Sequence, residues 1–288
     1  MNHWNSFPSR QAVAVLCAGV LAFVAACGGG GSAEPAAQSL STLTASSYSQ
    51  GPISGFGSVI VNGVRWDDSA AAISDDDGGA RQAAELKLGM VVEIDGAGLD
   101  RAKGSGKAMA IRFGSEMLGP IASIDSATSS MVVLGVTVEI TSSTVFDPSI
   151  AGGLAGLAQD EVVEVHGLFD AANNRVVATR VEPEAGATSY RLRGVVSALD
   201  SAAKTFKLGT QTVSYASLPA LPAWVAAGVQ AKARLQTTQV GGAWVAMRLI
   251  PIGVSLHGRP DAQIEGTITA FTSSAAFEVN GLKVDASK

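Results

Sequence analysis

The chain has 288 residues, 47% hydrophobic and 16% charged, a balance that suits folded modules and excludes a disordered polymer. Its 20 basic and 25 acidic residues leave a formal charge of −5, without the basic footprint that non-specific nucleic-acid binding needs. The 33 glycines and sparse aromatics point to many turns around small cores.

Residues 1–11 are polar, with Arg10 as the positive group, and Ala12 to Ala26 form an uncharged apolar run shorter than a usual membrane span. The run ends in "VAAC" at Val24 to Cys27, before four glycines. This resembles the bacterial lipoprotein lipobox, where small residues fit a signal peptidase and the thiol takes a diacylglycerol; a plain secretory signal is the alternative. The resemblance implies a signal peptide over 1–26 and lipidation at Cys27. With Gly28 rather than Asp after the cysteine, it also implies anchoring at the outer membrane, facing the periplasm or the surface. Cys17 leaves with the signal, so a mature intramolecular disulfide or cysteine metal site is ruled out. Residues 27–50, rich in Gly, Ser, Ala and Thr, read as a flexible tether.

From Gly51 the chain repeats. "GFGSVIVNGVRWD" at Gly55 reads as a hairpin turning at Asn62-Gly63, and its outline returns as "MVVLGVTVEI", "FKLGTQTV" and "FEVNGLKVD". The turn glycines Gly63, Gly135, Gly209 and Gly281 are 72, 74 and 72 positions apart. A strand led by Gly51, Gly119, Gly194 or Gly266 precedes each hairpin. Three units then carry an Ala/Leu-rich segment and two more strands, among them "LGMVVEIDG" and "QDEVVEVHG". Asn62-Gly63 and Asn280-Gly281 suit type I′ turns, whereas the turns at Leu134-Gly135 and Leu208-Gly209 are expected to begin at the glycine.

The expected fold is therefore all-β: tandem five-stranded OB-like barrels, or alternatively SH3-like ones, each closed on itself. A short helix is expected between strands three and four. The units fall at 51–117, 118–186 and 187–256, with an incomplete fourth at 262–288. That fourth unit reads as a chain continuing beyond Lys288 or as strands supplied by another molecule. With "VVATRVE" of the second unit, these motifs resemble the domain-of-unknown-function 5666 family of bacterial envelope proteins. The likeness covers Gly51 to Lys288 as tandem copies, and is weakest in unit three, where "AKARL" replaces Val-Glu-Val. It implies no catalytic residues.

Little else suggests chemistry. His166 and His257, each alone at a strand end or connector, read as surface residues. "GSGKA" at Gly104 lacks an earlier glycine and leads into a strand, so it reads as a hairpin turn and not a phosphate loop. Trp66 and Trp244 sit among apolar strand residues and are expected inside. Asp75, Asp76 and Asp77 form the one candidate metal site, for calcium, against the plainer reading of a solvated loop. No other cofactor is implied.

Arg112, Arg180 and Arg248 recur every 68 residues and are candidate ligand-binding residues. The structural alternative pairs Arg112 with Glu93 and Arg180 with Glu164 across strands. The sequence thus reads as a lipid-anchored envelope protein that binds or scaffolds without enzymatic activity, with envelope proteins or polysaccharide as partners and no nucleic acid. The rival reading is a hydrolase of envelope polysaccharide or peptide, its site between barrels, built from acids such as Asp160, Glu161 or Glu184.

Overall fold

The computed structural model describes residues 46–253, 261–264, 268–279 and 282–287. Cys27, His257 and the Asn280-Gly281 turn lie outside the described residues. Among the described residues the regular structure is β, apart from two short 3-10 turns, and no helix is long and apolar enough to cross a membrane.

The first barrel comprises β1 (Ser46–Gly55), β2 (Val59–Val61), β3 (Val64–Asp67), β4 (Ala72–Asp75), β5 (Val91–Asp100) and β6 (Ser105–Phe113). Pairing runs β1–β2–β3–β6–β5 and back to β1, with β3 and β6 parallel and the other pairs antiparallel. This circuit is the OB arrangement, a five-stranded barrel. The second barrel repeats it with β7 (Met117–Asp125), β8 (Ser130–Val133), β9 (Val136–Glu139), β10 (Val145–Phe146), β11 (Val162–Asp170) and β12 (Arg175–Pro183). The third does so with β13 (Tyr190–Asp200), β14 (Thr205–Leu208), β15 (Gln211–Ser214), β16 (Gln230–Val240) and β17 (Ala243–Pro251). β18 (Asp261–Ile264) then runs parallel to β1, and β19 (Ile268–Ser273), β20 (Ala276–Val279) and β21 (Leu282–Val284) form a small antiparallel sheet.

The repeated glycines have a common cause. A Cβ on Gly51 would lie 2.4 Å from the Asn62 side chain, one on Gly119 2.7 Å from Leu134, and one on Gly194 2.7 Å from the Gly209 nitrogen. Each leading glycine therefore lets its own hairpin turn fold down against the first strand. The second hairpin departs from expectation. Leu134 takes φ 47° and Gly135 φ 73°, both positive as in a type I′ turn, so the turn begins at the leucine. Leu134 is buried against Gly119, and that packing offsets the cost of the left-handed backbone. In the third hairpin the turn begins at Gly209, as expected.

Three further expectations change. Ser46–Gln50, read as tether, is the first half of β1, and Ser47, Tyr48 and Ser49 are buried. The helix shrinks to a short strand and one 3-10 turn, Ala83–Glu85 and Gly153–Gly156, in the first two barrels; in the third, 218–228 holds turns alone. Positive φ at Gly152 and Gly153, and Pro219 and Pro222 in the third unit, deny these segments a longer helix. Nor is every barrel separate. Met117 and Leu118 of β7 pair with Leu192 and Arg191 of β13, which joins the second and third barrels into one sheet and one apolar cluster. The first barrel keeps its own core around Trp66, Ile94 and Ile111.

Candidate functional site

The charged residues gather where the three barrels meet. On the first and fourth strands of each barrel, alternate side chains point away from the core, and matched positions bring them to the shared junction. Across these strand pairs Gln50 faces Glu93, Leu118 faces Glu164, and Arg193 faces Lys232. Two residues further along strand four stand Asp95, His166 and Arg234. The third barrel thus presents Arg191, Arg193, Lys232 and Arg234 where the first two present mainly acids.

The acidic loop plugs into this basic face. Asp75 Oδ1 accepts hydrogen bonds from the backbone N–H of Asp77 (3.0 Å) and Gly79 (2.7 Å), and its Oδ2 accepts from Arg81 Nε at 2.9 Å. With the loop closed on Asp75, Asp76 reaches Lys232 Nζ at 3.1 Å and Arg191 at 3.7 Å. Asp77 meets Arg248 at 3.3 Å, Arg234 at 3.6 Å and Arg191 at 3.8 Å, and its backbone carbonyl accepts from Arg248 at 2.9 Å. The calcium and solvated-loop readings are both corrected: each carboxylate is already engaged by a guanidinium, an ammonium or backbone donors. Among the described residues, no group of three or more His, Cys, Asp or Glu side chains is arranged to hold a metal ion.

Further contacts tie the barrels. Glu116, 5% exposed, receives Arg193 at 2.7 Å and Lys232 at 3.6 Å. Arg193 also donates to Gln230 at 2.8 Å and lies 4.9 Å over the Phe169 ring. Lys87 of the first barrel pairs with Glu182 of the second, and Arg180 donates to the Leu88 carbonyl at 3.1 Å. Burial alone would raise the Glu116 and Glu182 carboxyls. Arg193 and Lys232 outweigh it at Glu116, and Arg180 and Lys87 outweigh it at Glu182, holding both below their ordinary range.

The repeated arginines therefore have three different fates. Arg112 pairs with Glu93 across β5 and β6, as expected. Arg180 faces His166, not Glu164, and binds Glu182 at 2.5 Å and Asp147 at 3.0 Å. The acids recur at 71 residues and the arginines at 68, so one register cannot serve both units. Arg248 has no acid in its own barrel opposite it and takes one from the first barrel. Replacing half-exposed Arg112 by glutamine is expected to cost about 0.2–1 kcal/mol in chemical denaturation, the range of solvent-exposed pairs.

His166 is not a surface residue: it is 1% exposed, and neither ring nitrogen has a hydrogen-bond partner. Trp66 and Trp244 are buried as expected, which leaves them unable to serve as stacking platforms. Of Asp160, Glu161 and Glu184, only Glu184 lines a described cleft, and its N–H donates to the Val162 carbonyl at 2.8 Å. Asp160 sits in a turn at φ 68°, Glu161 accepts from the Ala158 N–H, and Glu184 lines a larger cleft with Lys87 and Arg234. The residues missed by sequence reasoning are Glu116, Arg191, Arg193 and Lys232. Their visible trace was the basic alternation in "YRLRG" and "AKARL", on strands otherwise patterned for burial.

Between the first and third barrels and β20 lies a cleft of about 400 Å³, lined by Glu93, Arg112, Glu116, Arg193, Lys232 and Glu278, among others. Burial pushes Glu93 above its ordinary range, although Arg112 acts against it. The cleft thus holds two glutamates shifted in opposite directions.

Residues 119–182, most of the second barrel, match the family described as a domain of unknown function (DUF5666). A search of curated proteins finds no match. Among solved structures, the chain is similar to one titled "drosophila Unr CSD456", with 14% identity, a TM-score of 0.21, and coverage of 59% of this chain and 79% of that one.

Proposed function

We propose that this protein is a non-enzymatic binding scaffold of the bacterial envelope, tethered by a lipid on Cys27, whose barrels are locked together to present a fixed surface. One observation carries the scaffold reading: the strongest charges the fold gathers are spent on one another across barrel boundaries, in Asp76–Lys232, Glu116–Arg193 and Lys87–Glu182. Charges committed in this way orient modules, and modules in fixed orientation gain avidity for an extended partner. Envelope proteins or polysaccharide are such partners. The acidic balance and inward tryptophans disfavour nucleic acid.

The address rests on the "VAAC" motif and is tested separately. Mass spectrometry of the membrane fraction is expected to find an acylated peptide beginning at Cys27, and Cys27→Ala is expected to release the chain from that fraction. An unmodified Cys27 in a soluble, processed protein would overturn the anchor.

The hydrolase reading keeps one favourable observation, the oppositely shifted Glu93 and Glu116 in one cleft. Both are held by cations, which suits structural service better than proton transfer. Purified protein is expected to leave labelled peptidoglycan uncut. Cleavage that disappears in Glu93→Gln would reverse that conclusion.

A further inference from the structure

The three barrels are not joined alike. The second and third are welded by a pseudo-twofold pairing of their first strands. Met117 and Leu192, each two residues before its leading glycine, stand opposite one another, and Leu118 stands opposite Arg191. The symmetric counterparts of that second pair, Glu116 and Arg193, form an ion pair at 2.7 Å. Both barrels share one apolar cluster, which includes Met117 and Leu192.

The first barrel has neither link. Among the described residues, none of β1 to β6 pairs with a strand of the other two barrels, and its apolar cluster shares no residue with theirs. Charge seats it instead. Asp76 reaches Lys232 and Arg191, Asp77 reaches Arg191, Arg234 and Arg248, and Lys87 reaches Glu182 and, at 3.9 Å, Asp147. Beside these stand the Arg180 hydrogen bond to the Leu88 carbonyl and the approach of Gly89 to the Thr179 carbonyl, too close for a Cβ. Leu88 is 41% exposed, so little apolar surface is sealed there.

The two kinds of joint respond differently to salt. Strand pairing and apolar burial withstand it, whereas the reach of a charge falls from about 10 Å at 0.1 M to about 3 Å at 1 M. The side chains of Lys87, Arg234 and Arg248 are half-exposed, so added ions reach the rim of the joint. Lys232 is shielded behind it, bordering a cleft that Gln50, Asp76, Glu93 and Arg112 of the first barrel wall off.

We propose that the first barrel is a salt-released module. At low ionic strength the Asp76–Asp77 loop latches it to the third barrel; at high ionic strength it lifts off as a folded unit and uncovers Arg191, Lys232, Arg234 and Arg248. β18, which follows the third barrel and pairs with β1, travels with it. This deepens the scaffold reading: the lock is permanent between the second and third barrels and ionic at the first.

The test uses the full chain in detergent at pH 7, in about 0.02 M and about 1 M NaCl. Scanning calorimetry is expected to show one cooperative transition at low salt and two at high salt, because seated barrels unfold together and a released one unfolds alone. Amine labelling read by mass spectrometry is expected to modify Lys232 about tenfold faster at high salt, with exposed Lys107 as the internal reference. Asp76→Asn/Asp77→Asn is expected to show both high-salt features at low salt. Arg112→Gln, whose ion pair with Glu93 lies within the first barrel, is expected to behave as wild type. A transition count or a Lys232 labelling rate that does not respond to salt would each overturn the proposal, as would a latch variant that stays seated. The salt arm uses the wild-type chain, so it decides alone if the latch variant fails to fold. A latch that never opens leaves the scaffold fixed at every salt, so the two readings fail separately.

Discussion

Arg193→Met is expected to lower stability by about 3–5 kcal/mol, the cost of leaving a buried carboxylate without its main partner. Glu116 is 5% exposed and takes its shorter ion pair, at 2.7 Å, from Arg193; Lys232 stands back at 3.6 Å and is shared with Asp76. Gln230 loses its donor as well. Methionine retains the aliphatic stem and a favourable contact with the Phe169 ring, so lost packing is a small part of the effect. The companion Glu116→Gln/Arg193→Met removes the stranded charge and is expected to recover most of the loss in urea denaturation. A double variant as unstable as the single one would show that Arg193 acts through packing, and the charged junction would lose its claim to hold the barrels together.

His166 is expected to make the junction acid-sensitive. The imidazole is buried without partners. Around it stand Glu164 on its own strand, Arg180 and Glu182 on β12, Arg191 on β13, Lys232 on β16, and Glu116 just before β7. Burial lowers its pKa first, and Lys232 and Arg191 act in the same direction, against Glu164 and Glu182. The folded state therefore binds its proton less readily than the unfolded chain. Stability from this group is complete above the unfolded value of about 6.5 and falls as pH drops below it, by at most about 1.4 kcal/mol per pH unit. Glu116 and Glu182, held low, lose their contribution at lower pH, below the ordinary carboxylate range. Glu93, held high by burial, acts in the opposite sense to His166. Comparing wild type with His166→Gln between pH 7 and 5 isolates the histidine: the variant is expected to show the flatter profile. Parallel profiles would mean that the ring does not titrate in that window.

The resemblance to the DUF5666 family was readable in the second unit, where the family match falls on residues 119–182. The family likeness is weakest in unit three, where "AKARL" stands in place of the Val-Glu-Val pattern. In the structure Lys232 occupies the place of Glu93 and Glu164, and that exchange of sign lets the third barrel receive the acids of the first two. Arg248, without an acid opposite it in its own barrel, finds one in Asp77. His166 reads from the sequence as the end of a strand, but β11 runs through it from Val162 to Asp170, and Arg191 and Lys232 of the third barrel stand close to its ring.

What could be read from the residue order alone was local: the period of about 72 residues, the Asn62-Gly63 turn, alternation in the strands, and the inward place of Trp66 and Trp244. These follow from backbone geometry and from apolar side chains leaving water, and each barrel settles them within its own segment. The charged junction was decided only in three dimensions. Whether Asp76 is a solvated acid or the partner of Lys232, 156 positions away, depends on how finished barrels stack, and a repeat period carries no information about that.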